Sequence, residues 1–321
     1  MNQHNKLLNN QDPQLTFSLF SFKNLPSWIG IIFLRLLTML PYKVLMKIGD
    51  LIGNIIHKVS PHRKEISSIN INKCLGLEGE ELDKLVRSNF QAVGRGIFEM
   101  AIAWWASEKR IKKLETKLIN GDLLKNKETG ALVLIKHSTH LELDLRLMSQ
   151  FFDLTGMYKI QTNEVVNLVM IKARNKYIKG SLTNKEAIKA RKWIRSGEIF
   201  LYAADQDYGS KVSRMIPFFG SEAATVTFPA LFARKGVKIV FADVSKVKDV
   251  YQIELKELEK FQDEEVFLKH MNQHYEEFIK KEPEGYLWMH RRFKSGTEDS
   301  IYPKWSSRDK KREKRRKRKS Y

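Results

Sequence analysis

Residues 131–144 read ALVLIKHSTHLELD, and the fold follows from how that stretch is divided. Its first half is a short apolar run that follows Glu128-Thr129-Gly130, the pattern of a strand buried on both faces. Its second half, from His137, is polar and helix-forming. Strand and helix signals continue to alternate downstream. Thr183-x-x-Glu186 is a capping-box sequence, and the helix it opens runs through AIKARKWIRS to Gly197. IFLYAAD at 199–205 reads as the next strand. A helix is then predicted after Ser221, interrupted at Pro229 and stopped by Gly236. VKIVFADV and YQIELKE supply two more strands, and residues 263–281 a last helix ended by Pro283. The expectation is an α/β protein with a mixed β-sheet flanked by helices.

Upstream the pattern is helical. Apolar residues dominate 25–59, where Pro41 separates SWIGIIFLRLLTML from VLMKIGDLIGNIIHKV, so two helices are predicted. The first is short of the roughly 20 apolar residues of a spanning helix and contains Arg35, while Trp28 lies between Lys23 and Arg35. Monotopic insertion as a membrane-associating segment is at least as consistent as a crossing. A pair of buried core helices is the plainer alternative. Residues 80–107 form a further helix, and Trp104 and Trp105 read as packing. The chain thus divides into a polar extension (1–24), the apolar helical segment (25–59), a catalytic domain (60–303, with a helical lead-in to 130 and an α/β body from 131) and a basic tail (304–321).

Composition sets limits on function. A 42% hydrophobic content excludes a disordered chain, and 29% charged residues argue against a polytopic membrane protein. With Cys74 the single cysteine, neither an internal disulfide nor a cysteine-rich zinc site can form. The net charge of +20 selects anionic partners. Ten Lys/Arg against two acids at 308–319 supply +8 of it, in a block dense enough in like charge to be disordered.

His137 falls at the carboxyl end of the predicted strand, where open α/β sheets gather their ligands. Five positions later, Glu142 would lie in the second turn of the next helix and could fold back toward the imidazole. A carboxylate holding one ring nitrogen as donor leaves the other to take a proton from a hydroxyl, the chemistry of acyl transfer to an alcohol. Two rival readings are weaker. His140 and Asp144, four apart, could bind metal, but no HExxH pattern or third ligand accompanies them. Ser138 could be a nucleophile, but no GxSxG elbow surrounds it, so Ser138 and Thr139 read as helix caps. Asp205, Asp207 and Tyr208, beside Gly209 at a strand end, suit either a substrate-binding loop or a polar turn, and Arg174 could hold a phosphate.

Four segments together resemble the late acyltransferases of lipid A biosynthesis, within the wider H-x4-D/E glycerolipid acyltransferase group. They are VRSNFQAVGRGIFEMAIAWWAS at 86–107, KHSTHLEL at 136–143, LYAADQDYG at 201–209 and GYLWMHRRFK at 285–294. The resemblance spans roughly 25–303. It implies an enzyme at the cytoplasmic face of the bacterial inner membrane that moves a chain from acyl-carrier protein to the hydroxyl of a 3-hydroxyacyl chain on a lipid A precursor. By that likeness His137 is the base and Glu142 orients it, while Arg174 and the 205–208 loop bind substrate. The transfer calls for no metal and no cofactor. Lys172-Ala173-Arg174 departs from the Arg-Gly-Arg common in relatives and leaves a less permissive backbone there. The excess positive charge then has three expected partners: acceptor phosphates, the acidic carrier and anionic inner-membrane lipids. A glycerolipid or other lysophospholipid acyltransferase using the same dyad is the alternative reading. A basic nucleic-acid-binding protein is the distant one; it leaves the apolar N-terminal segment unexplained, and no nucleic-acid partner is expected.

Overall fold

The computed structural model describes residues 13–125, 130–259, 261, 263–296 and 301–303. The tail at 304–321 and the first half of the polar extension lie outside the described residues. Helices α1 (Leu25–Leu37) and α2 (Tyr42–Val59) stand on either side of Pro41, as the sequence implies. They are followed by α3 (Pro61–Leu75), the long α4 (Gly79–Trp105) and a short α5 (Glu108–Ile111). Strands β1 (Thr116–Ile119) and β2 (Ala131–Ile135), α6 (Leu141–Met148), β3 (Leu154–Tyr158), α7 (Glu164–Arg174), β4 (Gly180–Thr183), α8 (Ala187–Arg195) and β5 (Ile199–Ala203) alternate thereafter. The hairpin β6 (Ser213–Phe218) and β7 (Ser221–Val226), α9 (Phe228–Ala233), β8 (Lys238–Val247), β9 (Val250–Glu257) and α10 (Glu264–Lys281) complete the order.

The main sheet runs β1-β9-β8-β2-β5-β3-β4. Strands β8, β2, β5, β3 and β4 are parallel, and β9 turns back on β8, so the sheet is mixed as expected. All five residues of β2 are buried. Alternation sends Leu132 and Leu134 into a core with Phe90, Phe241 and Tyr275, and Val133 and Ile135 into another with Phe98 and Leu143. That two-sided burial is why the run has no polar positions.

One expectation fails between 213 and 236. Residues 221–226, predicted helical, form β7, which pairs antiparallel with β6 around Phe219 and Gly220, both at positive φ. SEAATV favours helix locally, but the tight turn and the burial of Ala223 and Ala224 against the core override propensity. Pro229 does not interrupt a helix; it starts α9, where its missing N–H costs nothing.

The N-terminal helices pack by close backbone approach. A Cβ at Gly53 would meet the Phe90 carbonyl at 2.3 Å, and one at Gly94 the Gly49 carbonyl at 2.1 Å, so α2 lies on α4 only because these residues are glycine. Arg110 donates to the carbonyls of Thr38 and Leu40 and clamps the α1–α2 turn. Asn163, the N-cap of α7, donates to Ser27 Oγ at 2.7 Å, and Leu19, Trp28, Ile31, Val165 and Leu168 form a small satellite core there. The outer face of this region is apolar and uncovered: Phe17, Phe22 and Met39 are 98%, 94% and 79% exposed, with Ile29, Ile32 and Phe33 beside them in sequence and all above half. No helix among the described residues is long and apolar enough to cross a membrane.

Candidate active site

Register places the site. Ile135 of β2 pairs with Ala203 of β5 and with Ala242 of β8, so the residues just beyond the strand ends emerge side by side. His137 and Asp205 each lie two positions past a paired residue and meet at the carboxyl edge of the sheet. The Asp205 carboxylate, fully buried, accepts from the His137 ring through Nδ1 at 2.5 Å and from the His137 backbone N–H at 2.8 Å. Burial alone would raise the Asp205 carboxyl, but the His137 ring and these hydrogen bonds hold it below the usual aspartate range. The His137 side chain keeps 19% of its surface exposed. One position past the Ile135–Ala242 pair of β2 and β8 lies a second pair: Lys136 bonds Asp243, with both side chains at 3% exposure or less.

The loop carrying His137 is fixed from several directions. Thr139 N–H donates to the Gly285 carbonyl at 2.8 Å, and Leu287 N–H to the His137 carbonyl at 3.0 Å. Asn89 of α4 in turn donates to the carbonyls of Glu284 and Tyr286. Tyr275 of α10 spans the two central strands, donating to the Ile135 carbonyl and accepting from Ala204 N–H. Ser138 and Thr139 do not cap α6, contrary to expectation: His140 is its N-cap, and Ser138 Oγ donates to Asp144. His140 Nδ1 bonds Asp144 Oδ1 at 2.6 Å. Burial would lower the His140 pKa, but Asp144 and, across 3.9 Å, Glu282 push it well above the ordinary histidine value. Among the described residues no group of three or more His, Cys, Asp or Glu side chains could hold a metal.

Glu142 takes a different partner from the one its spacing suggests. Arg174, the last residue of α7, grips it side-on, Nε to Oε2 at 3.1 Å and Nη2 to Oε1. Trp104 Nε1 donates to Oε2 at 3.0 Å, and the Tyr177 hydroxyl lies 3.5 Å from the same oxygen. Burial would raise the Glu142 carboxyl, but Arg174 above all, then Trp104 and Tyr177, hold it low and ionised. The histidine's carboxylate partner is therefore Asp205, expected from sequence to bind substrate, while Glu142 and Arg174 form a buried pair of their own.

The other loop residues divide. Asp207, 2% exposed, accepts from the N–H groups of Gly209 and Ser295 at 2.8 Å and from Ser295 Oγ at 2.9 Å, so its carboxylate ties the loop to the 285–295 segment. Tyr208 is 46% exposed and donates to the Ala203 carbonyl at 3.2 Å. His290 Nε2 accepts from Asp207 N–H at 3.2 Å, and burial, then Lys294 and His137, depress its pKa to about 4. Sequence reasoning missed the Trp104 and Tyr177 contacts and passed over His290; the one signal for His290 was its place in GYLWMHRRFK.

A mostly parallel sheet bearing a carboxylate-held histidine at its carboxyl edge, with an arginine–glutamate pair beside the same loop, defines an α/β protein with a charged polar site at the sheet's end. Comparison gives that class its chemistry. Residues 18–295 match the family profile described as bacterial lipid A biosynthesis acyltransferase, and the chain belongs to that family and is an acyltransferase. It is 30% identical over 283 residues to the lipid A biosynthesis lauroyltransferase of Escherichia coli (strain K12), covering 85% of this chain and 92% of that protein. It is 29% identical over 287 residues to the lipid A biosynthesis palmitoleoyltransferase of the same organism, covering 86% and 94%. A solved structure, the 1-acyl-sn-glycerophosphate acyltransferase of Thermotoga maritima, superposes with a TM-score of 0.37 at 11% identity, over 74% of this chain and 98% of that one.

Proposed function

We propose that the enzyme transfers a fatty acyl chain from acyl-carrier protein to the hydroxyl of a 3-hydroxyacyl chain on a lipid A precursor, at the cytoplasmic face of the bacterial inner membrane, with His137 as general base. The observation that carries this is the double grip of Asp205 on a partly exposed His137 at the sheet's carboxyl edge. Because Asp205 accepts from Nδ1, the free lone pair is on Nε2. Nε2 takes the proton of the acceptor hydroxyl as its oxygen attacks the thioester carbonyl carbon. The tetrahedral adduct then expels the carrier thiolate, which recovers the proton from Nε2, leaving an ester and a free thiol. A base so placed is worth about 10²–10⁴ in rate.

Arg174 has the donor set for a phosphate of the acceptor lipid. Its side-on pairing with Glu142 uses Nε and Nη2 and leaves Nη1 over. The guanidinium is thus a fixed donor, within a pair neutral overall, whose direction Glu142 sets.

The uncovered apolar face of α1 and the segment before it would sit in the membrane surface. With 13 residues, α1 is about 20 Å long, short of the ~30 Å hydrocarbon layer, which favours monotopic insertion. Lys23, Arg35, Lys43 and Lys47 lie along the same stretch and suit anionic headgroups.

The test is an assay of detergent-extracted enzyme with acyl-carrier proteins of several chain lengths and a tetra-acylated lipid A precursor, read by mass spectrometry. One added chain by wild type, with at least a 100-fold loss in His137→Ala, is the expected result. Transfer to a lysophospholipid alone would overturn the acceptor assignment, and undiminished turnover in folded His137→Ala would overturn the base.

A further inference from the structure

We propose that Trp104 and Tyr177 are positioning residues that set the direction of the Glu142–Arg174 pair toward the acceptor, a role that rests on the phosphate-binding reading of Arg174. Trp104 lies near the end of α4, 4% exposed, with Trp105 packed edge-on at 5.6 Å. By shape it is a core residue. Its indole N–H nevertheless points at Glu142 Oε2 at 3.0 Å, and an indole nitrogen can only donate. Tyr177, 7% exposed, follows α7 and brings its hydroxyl to within 3.5 Å of the same oxygen, with its ring beneath the Arg146 guanidinium at 4.8 Å. Arg146 is itself paired with Glu108 of α5.

Oε2 therefore receives donors from three directions: α4 through Trp104, α7 through Arg174, and the chain after α7 through Tyr177. Neutralising a buried carboxylate needs Arg174 alone. Two further neutral donors add no charge; they fix the plane of the carboxylate, and a side-on guanidinium must lie in that plane. The direction of Nη1 is thus decided by α4 and the 175–178 turn. His137 is held separately by Asp205, so loss of the indole N–H should weaken capture of the acceptor and leave proton transfer alone.

The experiment compares Trp104→Phe, Tyr177→Phe and Arg174→Gln, singly and as the Trp104→Phe/Arg174→Gln double variant. It uses the full chain and whichever acceptor, lipid A precursor or lysophospholipid, the wild type acylates. Trp104→Phe keeps a ring in the core and removes the donor. KM for the acceptor is expected to rise about tenfold, the worth of one hydrogen bond to a charged group, with kcat and the pH profile near wild type. Tyr177→Phe, across the longer contact, should give a smaller rise. In the Arg174→Gln background, Trp104→Phe should add little, because its effect passes through the guanidinium. Lower Tm with unchanged KM would reduce Trp104 to packing and overturn the proposal, as would full additivity in the double variant. Failure of His137→Ala to lose activity would overturn the base assignment and leave this KM comparison standing.

Discussion

Asp205 holds His137 by two atoms at once, Oδ1 on the ring Nδ1 at 2.5 Å and Oδ2 on the backbone N–H at 2.8 Å. One buried carboxylate thus fixes the tautomer of the imidazole and the strand end that bears it. Asp205→Asn keeps the size but exchanges one acceptor oxygen for a donor, so either the ring turns to the tautomer with Nε2 protonated or the backbone N–H loses its partner. Turnover should fall by about 10²–10⁴ with KM for the acceptor little changed. Glu142→Gln should do the reverse, raising that KM more than it lowers turnover. Steady-state kinetics on the two variants separates the roles.

The His137 loop touches α4 with no side chain between them. A Cβ on Gly96 would stand 2.0 Å from the Thr139 carbonyl oxygen, backbone that cannot yield without moving the His137 loop. Gly96→Ala should cost about 1–3 kcal/mol of stability and more than tenfold in activity. Gly30→Ala, where a Cβ meets nothing within 4 Å, is the control for helix substitution and should leave turnover unchanged while raising stability by up to about 1 kcal/mol. Thermal melts and turnover measured together check this.

Lys136 and Asp243 are sealed together one residue before His137. Lys136→Met strands a buried carboxylate and should destabilise by about 3–5 kcal/mol. Adding Asp243→Leu removes the stranded charge and should restore much of that loss. Denaturant titration of the single and double variants reads the coupling directly.

His140 gives stability a pH dependence. Its pKa in the folded chain is raised well above 6.5 by Asp144 and Glu282, so folding binds its proton more tightly than the unfolded chain does. That contribution is complete below about pH 6.5 and is lost as pH rises through the raised value. The Tm gap between wild type and His140→Gln should therefore be widest near pH 6 and narrow toward alkaline pH. His290 has the opposite sign: its pKa is depressed to about 4, so it favours the fold above pH 6.5 and the benefit fades as pH drops toward 4. His290→Gln should flatten the acid side of the Tm profile.

Exposed Phe17 and Phe22 are the most accessible aromatic side chains of the apolar N-terminal face. Phe17→Ser/Phe22→Ser should weaken co-sedimentation with anionic vesicles about tenfold or more and leave turnover on detergent-dispersed acceptor near wild type. Equal sedimentation of variant and wild type would count against this face as the membrane contact.

The sequence by itself determined the strand at 131–135, the helices on either side of Pro41, the capping box at Thr183 and Glu186, and the mixed α/β class. Each of those signals is local: an apolar run of the right length, a proline, a capping pair. It also singled out His137 and Asp205, because a strand end beside polar residues is visible in one dimension, and Glu142 and Arg174 through spacing and family resemblance. Which carboxylate serves which cation was not visible there. Glu142 stands five residues from His137, yet α7 brings Arg174 to it from 32 positions away, and the β2–β5 register brings Asp205 to His137 from 68. The β6–β7 hairpin was likewise hidden, since SEAATV becomes strand only against a partner strand and a core. Trp104 read as packing because its burial is written in helical periodicity, whereas the atom its indole nitrogen faces depends on how α4 crosses α6. Pairing of this kind is decided by register and helix placement, which only the assembled chain fixes.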